Sequence, residues 1–121
     1  MRTRVSYTRG MGYEEIAARF LKRRGYRILA RNWRHPGGEL DIVTVDADTL
    51  VFVEVRARAA GAGYLPEESI DEQKRRRLLA TAEAYLASHE WHGPCRFDVV
   101  AIDISSTGNL VRLIRDAFGA S

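Results

Sequence analysis

Four charged side chains interrupt the most apolar stretch of this chain, and their types and spacing could serve either metal binding or ion pairing. The stretch is GELDIVTVDADTLVFVEVRAR, Gly38 to Arg58, and the four are Glu39, Asp41, Glu54 and Arg56. Paired carboxylates beside a cation have two uses. They can hold a hard divalent cation such as Mg²⁺, which takes oxygen ligands and needs one or two carboxylates beside waters and substrate phosphate. Arg56 would then hold the attacking water or the phosphate, or offset charge developing in the transition state. Alternatively they form a ladder of cross-strand ion pairs, Glu39 with Arg56, with Asp41 and Glu54 in water at the sheet's end. Spacing alone leaves both arrangements open.

The elements that must position these groups are two strands folded back on each other. Leu40, Ile42, Val43 and Val45 dominate one arm, and Leu50, Val51, Phe52, Val53 and Val55 the other. Such β-branched and aromatic runs favour a pleated, buried surface. The polar break Asp46-Ala47-Asp48-Thr49 predicts the turn. Centred between Ala47 and Asp48, that turn sets Asp41 opposite Glu54 and Glu39 opposite Arg56. Side chains two apart share a face, so the four crowd one patch. Like charges facing across a ladder are destabilising unless something compensates.

The rest of the chain predicts a sheet with helices packed on it. Ile16, Ala17, Phe20 and Leu21 recur at helical spacing within Thr8 to Arg24, and Gly25 follows as a stop. Glu14, in the first turns of that helix, lies near the edge of its buried stripe, where it also suits the helix N-terminus. Tyr26 to Arg34 reads as a strand and His35-Pro36-Gly37-Gly38 as a turn. Ala59 to Pro66 is a small-residue loop. Ser69-Ile70-Asp71-Glu72 has the form of a capping box opening a long helix to about Glu90, with Leu78, Leu79, Ala82 and Leu86 toward the core. Its early Lys74, Arg75, Arg76 and Arg77 form a basic run of the kind that is usually a solvated face and sometimes contacts phosphate. Cys95 to Ile104 is a further strand, and Asn109 to Arg115 a last one at the sheet's edge.

Short connections make the first three strands antiparallel neighbours, and the helical crossover returns parallel to the strand it left. The fold expected is α/β: a single domain over residues 1–121, core about 12–104, with a mixed β-sheet flanked by helices in the order α-β-β-β-α-β plus an edge strand.

Composition narrows the function classes. The chain has 121 residues, 45% hydrophobic and 29% charged, with one cysteine and a net charge of +3. These values suit a cytoplasmic globular domain without a disulfide, and no apolar run is long enough for a membrane span. Of 19 basic residues only Lys22 and Lys74 are lysine. Arginine is the better bidentate partner for phosphate, although composition bias alone could produce the excess. His89, His92 and Cys95, in HEWHGPC, have spacings that could suggest zinc, but lack a fourth ligand. Cys95 reads rather as a packed thiol, Asp98 as a structural carboxylate that could support the site, and Trp33 and Tyr64 as packing aromatics that could alternatively stack on bases.

A glutamate in the first helix, the aspartate of GELD, then VFVEVRAR, then RFDVV together resemble the YraN-like family of predicted endonucleases. That family is similar to the archaeal Holliday junction resolvases of the PD-(D/E)-x-K nuclease superfamily. The resemblance covers about Gly12 to Asp103. It implies a restriction-endonuclease-like core and a Mg²⁺- or Mn²⁺-dependent endodeoxyribonuclease acting on DNA, with branched or distorted DNA as the substrate class and a homodimer suited to two symmetric cuts. By position it implies Asp41 and Glu54 as metal-binding carboxylates, Glu14 pointing toward the same site and the Val55 carbonyl as a further ligand. Two positions depart from the pattern: Tyr13 stands where a glycine is expected, and Arg56 replaces the lysine of E-x-K. Arginine cannot act as a general base but can bind phosphate. The alternative is therefore a non-catalytic nucleic-acid-binding module that keeps the nuclease fold.

Overall fold

The structure, a computed structural model, describes the backbone of residues 2–5 and all of residues 12–119. Along the chain run β1 (Arg2–Val5), α1 (Tyr13–Arg23), β2 (Arg27–His35), β3 (Gly38–Asp46), β4 (Thr49–Ala59), a 3-10 turn (Pro66–Ser69), α2 (Glu72–Ser88), β5 (Cys95–Ser105) and β6 (Gly108–Phe118). The strands form one mixed sheet in the order β1-β6-β5-β4-β3-β2.

Helix α1 starts at Tyr13, with Gly12 at its N-cap; the part of the expected helix from Thr8 to Met11 lies outside the described residues. It ends as expected at Gly25, whose φ is +88°. The Gly25 and Tyr26 amides bond back to the Lys22 and Leu21 carbonyls, the paired closure that a left-handed residue after a helix permits. Ile16, Ala17, Ala18, Phe20 and Leu21 are buried against Ile42, Val51, Val53, Val100 and Ile102. On the other face Leu78, Ala82 and Tyr85 of α2 meet Val43, Val45, Leu50, Phe52, Phe97 and Val99. Adjacent residues such as Val51 and Phe52 fall in different clusters, so one helix covers each face of the sheet. Each large aliphatic or aromatic side chain so buried contributes about 1.5–3 kcal/mol of transfer free energy.

The central hairpin has the expected register: Ile42 faces Val53, Val43 faces Phe52, Thr44 faces Val51 and Asp46 faces Thr49. β4 and β5 pair in parallel across the crossover, from Leu50↔Cys95 to Ala59↔Ile104. Three expectations are corrected. The strand after Ser105 is not an edge, because β1 pairs outside it, Arg2 with Arg112 and Val5 with Asn109. The cap of α2 is Asp71, not Ser69: the Asp71 carboxylate accepts the Lys74 amide at 2.8 Å, while the Ser69 hydroxyl donates to the Pro66 carbonyl at 2.7 Å. Cys95 is exposed rather than packed, since it is the first residue of its strand, at the end of the sheet. No helix among the described residues is long and apolar enough to cross a membrane.

Candidate active site

The ladder between β3 and β4 stops one step short of the acidic pair. Its last partners are Ile42 and Val53; beyond them β3 continues along β2, and β4 along β5. Alternation along β3 breaks at the same place, with Leu40 in the α2-side cluster and Ile42 in the α1-side cluster. Asp41 occupies the break. Its carboxylate accepts the Val55 amide at 2.9 Å, so a side chain takes a donor that no residue of β3 takes through its backbone. The strands separate here, and groups from both faces of the sheet meet in the opening.

From one face comes Glu14, on the first turn of α1. Glu14, Glu39 and Asp41 each bring a carboxylate oxygen within 4.8 Å of the others, and all three are half-buried. From the other face comes Lys74, on the first turn of α2, whose Nζ lies 3.3 Å from Glu54 Oε2. Glu54 is 3% exposed. Burial, then a hydrogen bond and repulsion from Asp41, push its carboxyl up to about 8, against the opposing pull of Lys74 and Arg56. Arg56 Nε stands 3.9 Å from Glu54 Oε2, beyond hydrogen-bond range, and this buried nitrogen finds no hydrogen-bond partner among the described residues.

The alternative arrangement, a ladder of ion pairs between Glu39 and Arg56, is absent from the described residues. Glu39 pairs instead with Arg34, at 3.6 Å on the neighbouring strand. Of the residues expected at the site, Glu14, Asp41 and Glu54 come together, Arg56 borders them, and Val55 contributes its amide to Asp41. Glu39 was placed in the patch without a ligand's role, yet it completes the three-carboxylate group. Lys74 was read with the exposed run that follows it. In the structure Arg75, Arg76 and Arg77 are exposed while Lys74 turns inward. The one lysine heading a row of arginines was the available signal.

Residues 13–102 match the uncharacterised protein family UPF0102. The chain belongs to the UPF0102 family. Similar relatives include a UPF0102 protein of Nitratidesulfovibrio vulgaris, 46% identical over 90% of this chain and 82% of its own length. One from Pseudomonas aeruginosa is 45% identical over 95% of each chain, and one from Roseiflexus castenholzii 52% identical over 75% of each.

Other groups singled out in this UPF0102 chain have structural roles. Asp98 is fully buried and accepts from Tyr26 Oη at 2.8 Å, Arg96 Nε at 2.9 Å and the Asp116 amide at 2.9 Å. Arg96 continues to Asp46 at 2.8 Å, so this network ties the hairpin turn to β5. His89 stacks on Tyr85 at 3.8 Å, and the His89, His92 and Cys95 set does not gather into a metal-binding group among the described residues. Trp33 packs edge-on against Tyr85 at 5.2 Å. Tyr64 is half-exposed, with the Arg58 guanidinium 3.8 Å over its ring.

Proposed function

We propose that this protein is a Mg²⁺- or Mn²⁺-dependent endonuclease of the cytoplasm that hydrolyses phosphodiester bonds in DNA. The observation that carries the reading is the convergence of Glu14, Glu39 and Asp41 within 4.8 Å, beside buried Glu54, where the sheet opens. A sheet needs no such group for its own stability, and the converging Glu14, Glu39 and Asp41 carboxylates repel one another unless a cation joins them. The donors fit the ion. All are hard carboxylate oxygens, with no thiolate or imidazole among them, which suits Mg²⁺ or Mn²⁺ over zinc.

Glu14, Glu39 and Asp41 would hold the cation, with Glu54 joining as it loses its proton. When bound, the cation lowers the pKa of a water and offsets phosphate charge. The Val55 amide fixes the Asp41 carboxylate, and burial by both helices limits competing water. In the net reaction the water oxygen forms a new bond to phosphorus and one bridging P–O bond breaks. The leaving oxygen gains a proton, and the proton lost by water passes to solvent. The resemblance to junction resolvases supports branched or distorted DNA as the substrate class, and a homodimer as the form that makes paired cuts.

The test is cleavage of labelled linear, flap and four-way-junction DNA with Mg²⁺, Mn²⁺ or EDTA, beside Asp41→Asn. Metal-dependent cutting that disappears in Asp41→Asn is the expected result. Salt-sensitive DNA binding without any cutting would instead leave the nucleic-acid-binding module.

A further inference from the structure

We propose that Lys74, and not Arg56, is the cation that takes the DNA phosphate at the acidic cluster; this rests on the nuclease reading above. Three observations converge on it. First, position: Lys74 Nζ is 3.3 Å from Glu54 Oε2, whereas Arg56 Nε is 3.9 Å away with its buried nitrogen unbonded among the described residues. The Lys74 side chain is 30% exposed and that of Arg56 28%, so exposure is shared and distance to Glu54 separates them.

Second, residue type. Seventeen of the nineteen basic residues are arginine, and Lys22, the other lysine, is exposed at the end of α1. A chain so rich in guanidinium groups nevertheless keeps an amine where helix α2 meets the carboxylates. A compact ammonium has three rotatable donors, enough for Glu54, a water and a phosphate oxygen together, whereas a planar fork needs a wider, flatter recess. Third, helix electrostatics: a cation in the first turn opposes the helix dipole, so the stability of α2 does not explain it. The Asp71 carboxylate, capping the Lys74 amide at 2.8 Å, fixes the backbone from which the side chain reaches inward.

Lys74 therefore acts through hydrogen bonds and charge on a non-bridging phosphate oxygen. It plays on α2 the part that the E-x-K pattern assigns to a strand residue. With only two lysines, the chain lends itself to amine footprinting. The intact protein is acylated with an amine-reactive acetyl ester, with Ca²⁺ alone and with Ca²⁺ plus junction DNA, and each lysine is read by mass spectrometry. Several-fold slower acylation of Lys74 with DNA present, at an unchanged Lys22 rate, is expected. Equal rates at Lys74 with DNA bound, or equal protection of both lysines, would overturn the assignment and leave Lys74 a counter-ion of Glu54.

Cleavage gives the second readout. Lys74→Met should lower kcat by about 10²–10³-fold, as loss of one preorganised donor does. Lys74→Arg should recover little of this, and Lys22→Met should match the parent. A parent that cuts while Lys74→Met cuts equally well removes the Lys74 assignment and spares the nuclease. A parent that never cuts, but whose Lys74 is protected by DNA, removes the nuclease and keeps the phosphate contact. Neither cutting nor protection removes both.

Discussion

Replacing Glu54 by glutamine should make the metal-free protein more stable, and increasingly so as the pH rises. The Glu54 carboxyl is held up to about 8 in the folded chain, because burial and the neighbouring Asp41 disfavour its charge. Unfolded, it returns to the ordinary glutamate value of about 4.5. Below that value both states are protonated and no penalty exists. Above it the unfolded chain releases its proton first, so the folded state binds more protons and stability falls with pH until the folded value is passed. Between about pH 4.5 and pH 7 the cost at about 1.4 kcal/mol per unit reaches about 3 kcal/mol. Glutamine does not titrate and keeps the shape.

The stability gap between Glu54→Gln and the parent should therefore widen by about 3 kcal/mol over that range, or about 10 °C in Tm for a domain of this size. Guanidinium unfolding in EDTA, followed through Trp33 and Trp91 fluorescence, measures it. A gap that stays constant with pH would refute the reasoning. A gap that narrows would mean that Lys74 and Arg56 keep Glu54 ionised. Adding Mn²⁺ should stabilise the parent more at about pH 8 than at about pH 6, since carboxylate ligands must shed their protons to bind.

Two further outcomes follow from contacts outside the acidic group. A Cβ on Gly38 would stand 2.7 Å from Thr81 Oγ1, in a buried contact between β3 and α2. Gly38→Ala should cost about 1–3 kcal/mol in denaturant unfolding, and pairing it with Thr81→Ala should return part of the loss. Arg112 grips Glu67 through two bonds of 2.8 and 2.7 Å, and its guanidinium holds the Glu67 carboxyl below the usual glutamate range. Stability from a lowered carboxyl is present at neutral pH and fades as acid protonates it. Glu67→Gln should therefore cost about 1–2 kcal/mol near pH 7 and progressively less as the pH falls below the usual glutamate value, which thermal melts across that range would reveal.

The hairpin was legible because a two-residue turn and a period-two apolar pattern together leave one register. The acidic group was legible because Asp41 and Glu54 interrupt a hairpin whose buried positions are otherwise valine, isoleucine, leucine, phenylalanine and one threonine. β1 was not: RTRV is four residues long, half of them arginine, and becomes a strand only because the edge of β6 is there to pair with it. The cap of α2 was misplaced because Ser69 and Asp71 are both good capping residues, and the choice falls on the one that Pro66 does not already engage. The inward turn of Lys74 depends on how α2 is rotated over the sheet, which the weakly amphipathic run QKRRR does not declare.

The pairing of β1 with β6 has a consequence for the order in which the molecule comes into being. Arg2–Val5 leaves the ribosome well before Gly108–Phe118, and among the described residues pairs with no strand but β6. Until β6 emerges, β1 has no hydrogen-bonding partner in the sheet, while the β2–β3–β4 hairpins can already close from local contacts. Synthesis should thus build the sheet outward from β2 to β6 and add β1 last, as the short edge strand. Prolonged pausing before residue 108 would leave a nascent chain whose acidic opening is in place while the 11-residue β5, rather than the 4-residue β1, forms that edge of the sheet and lies open to other chains.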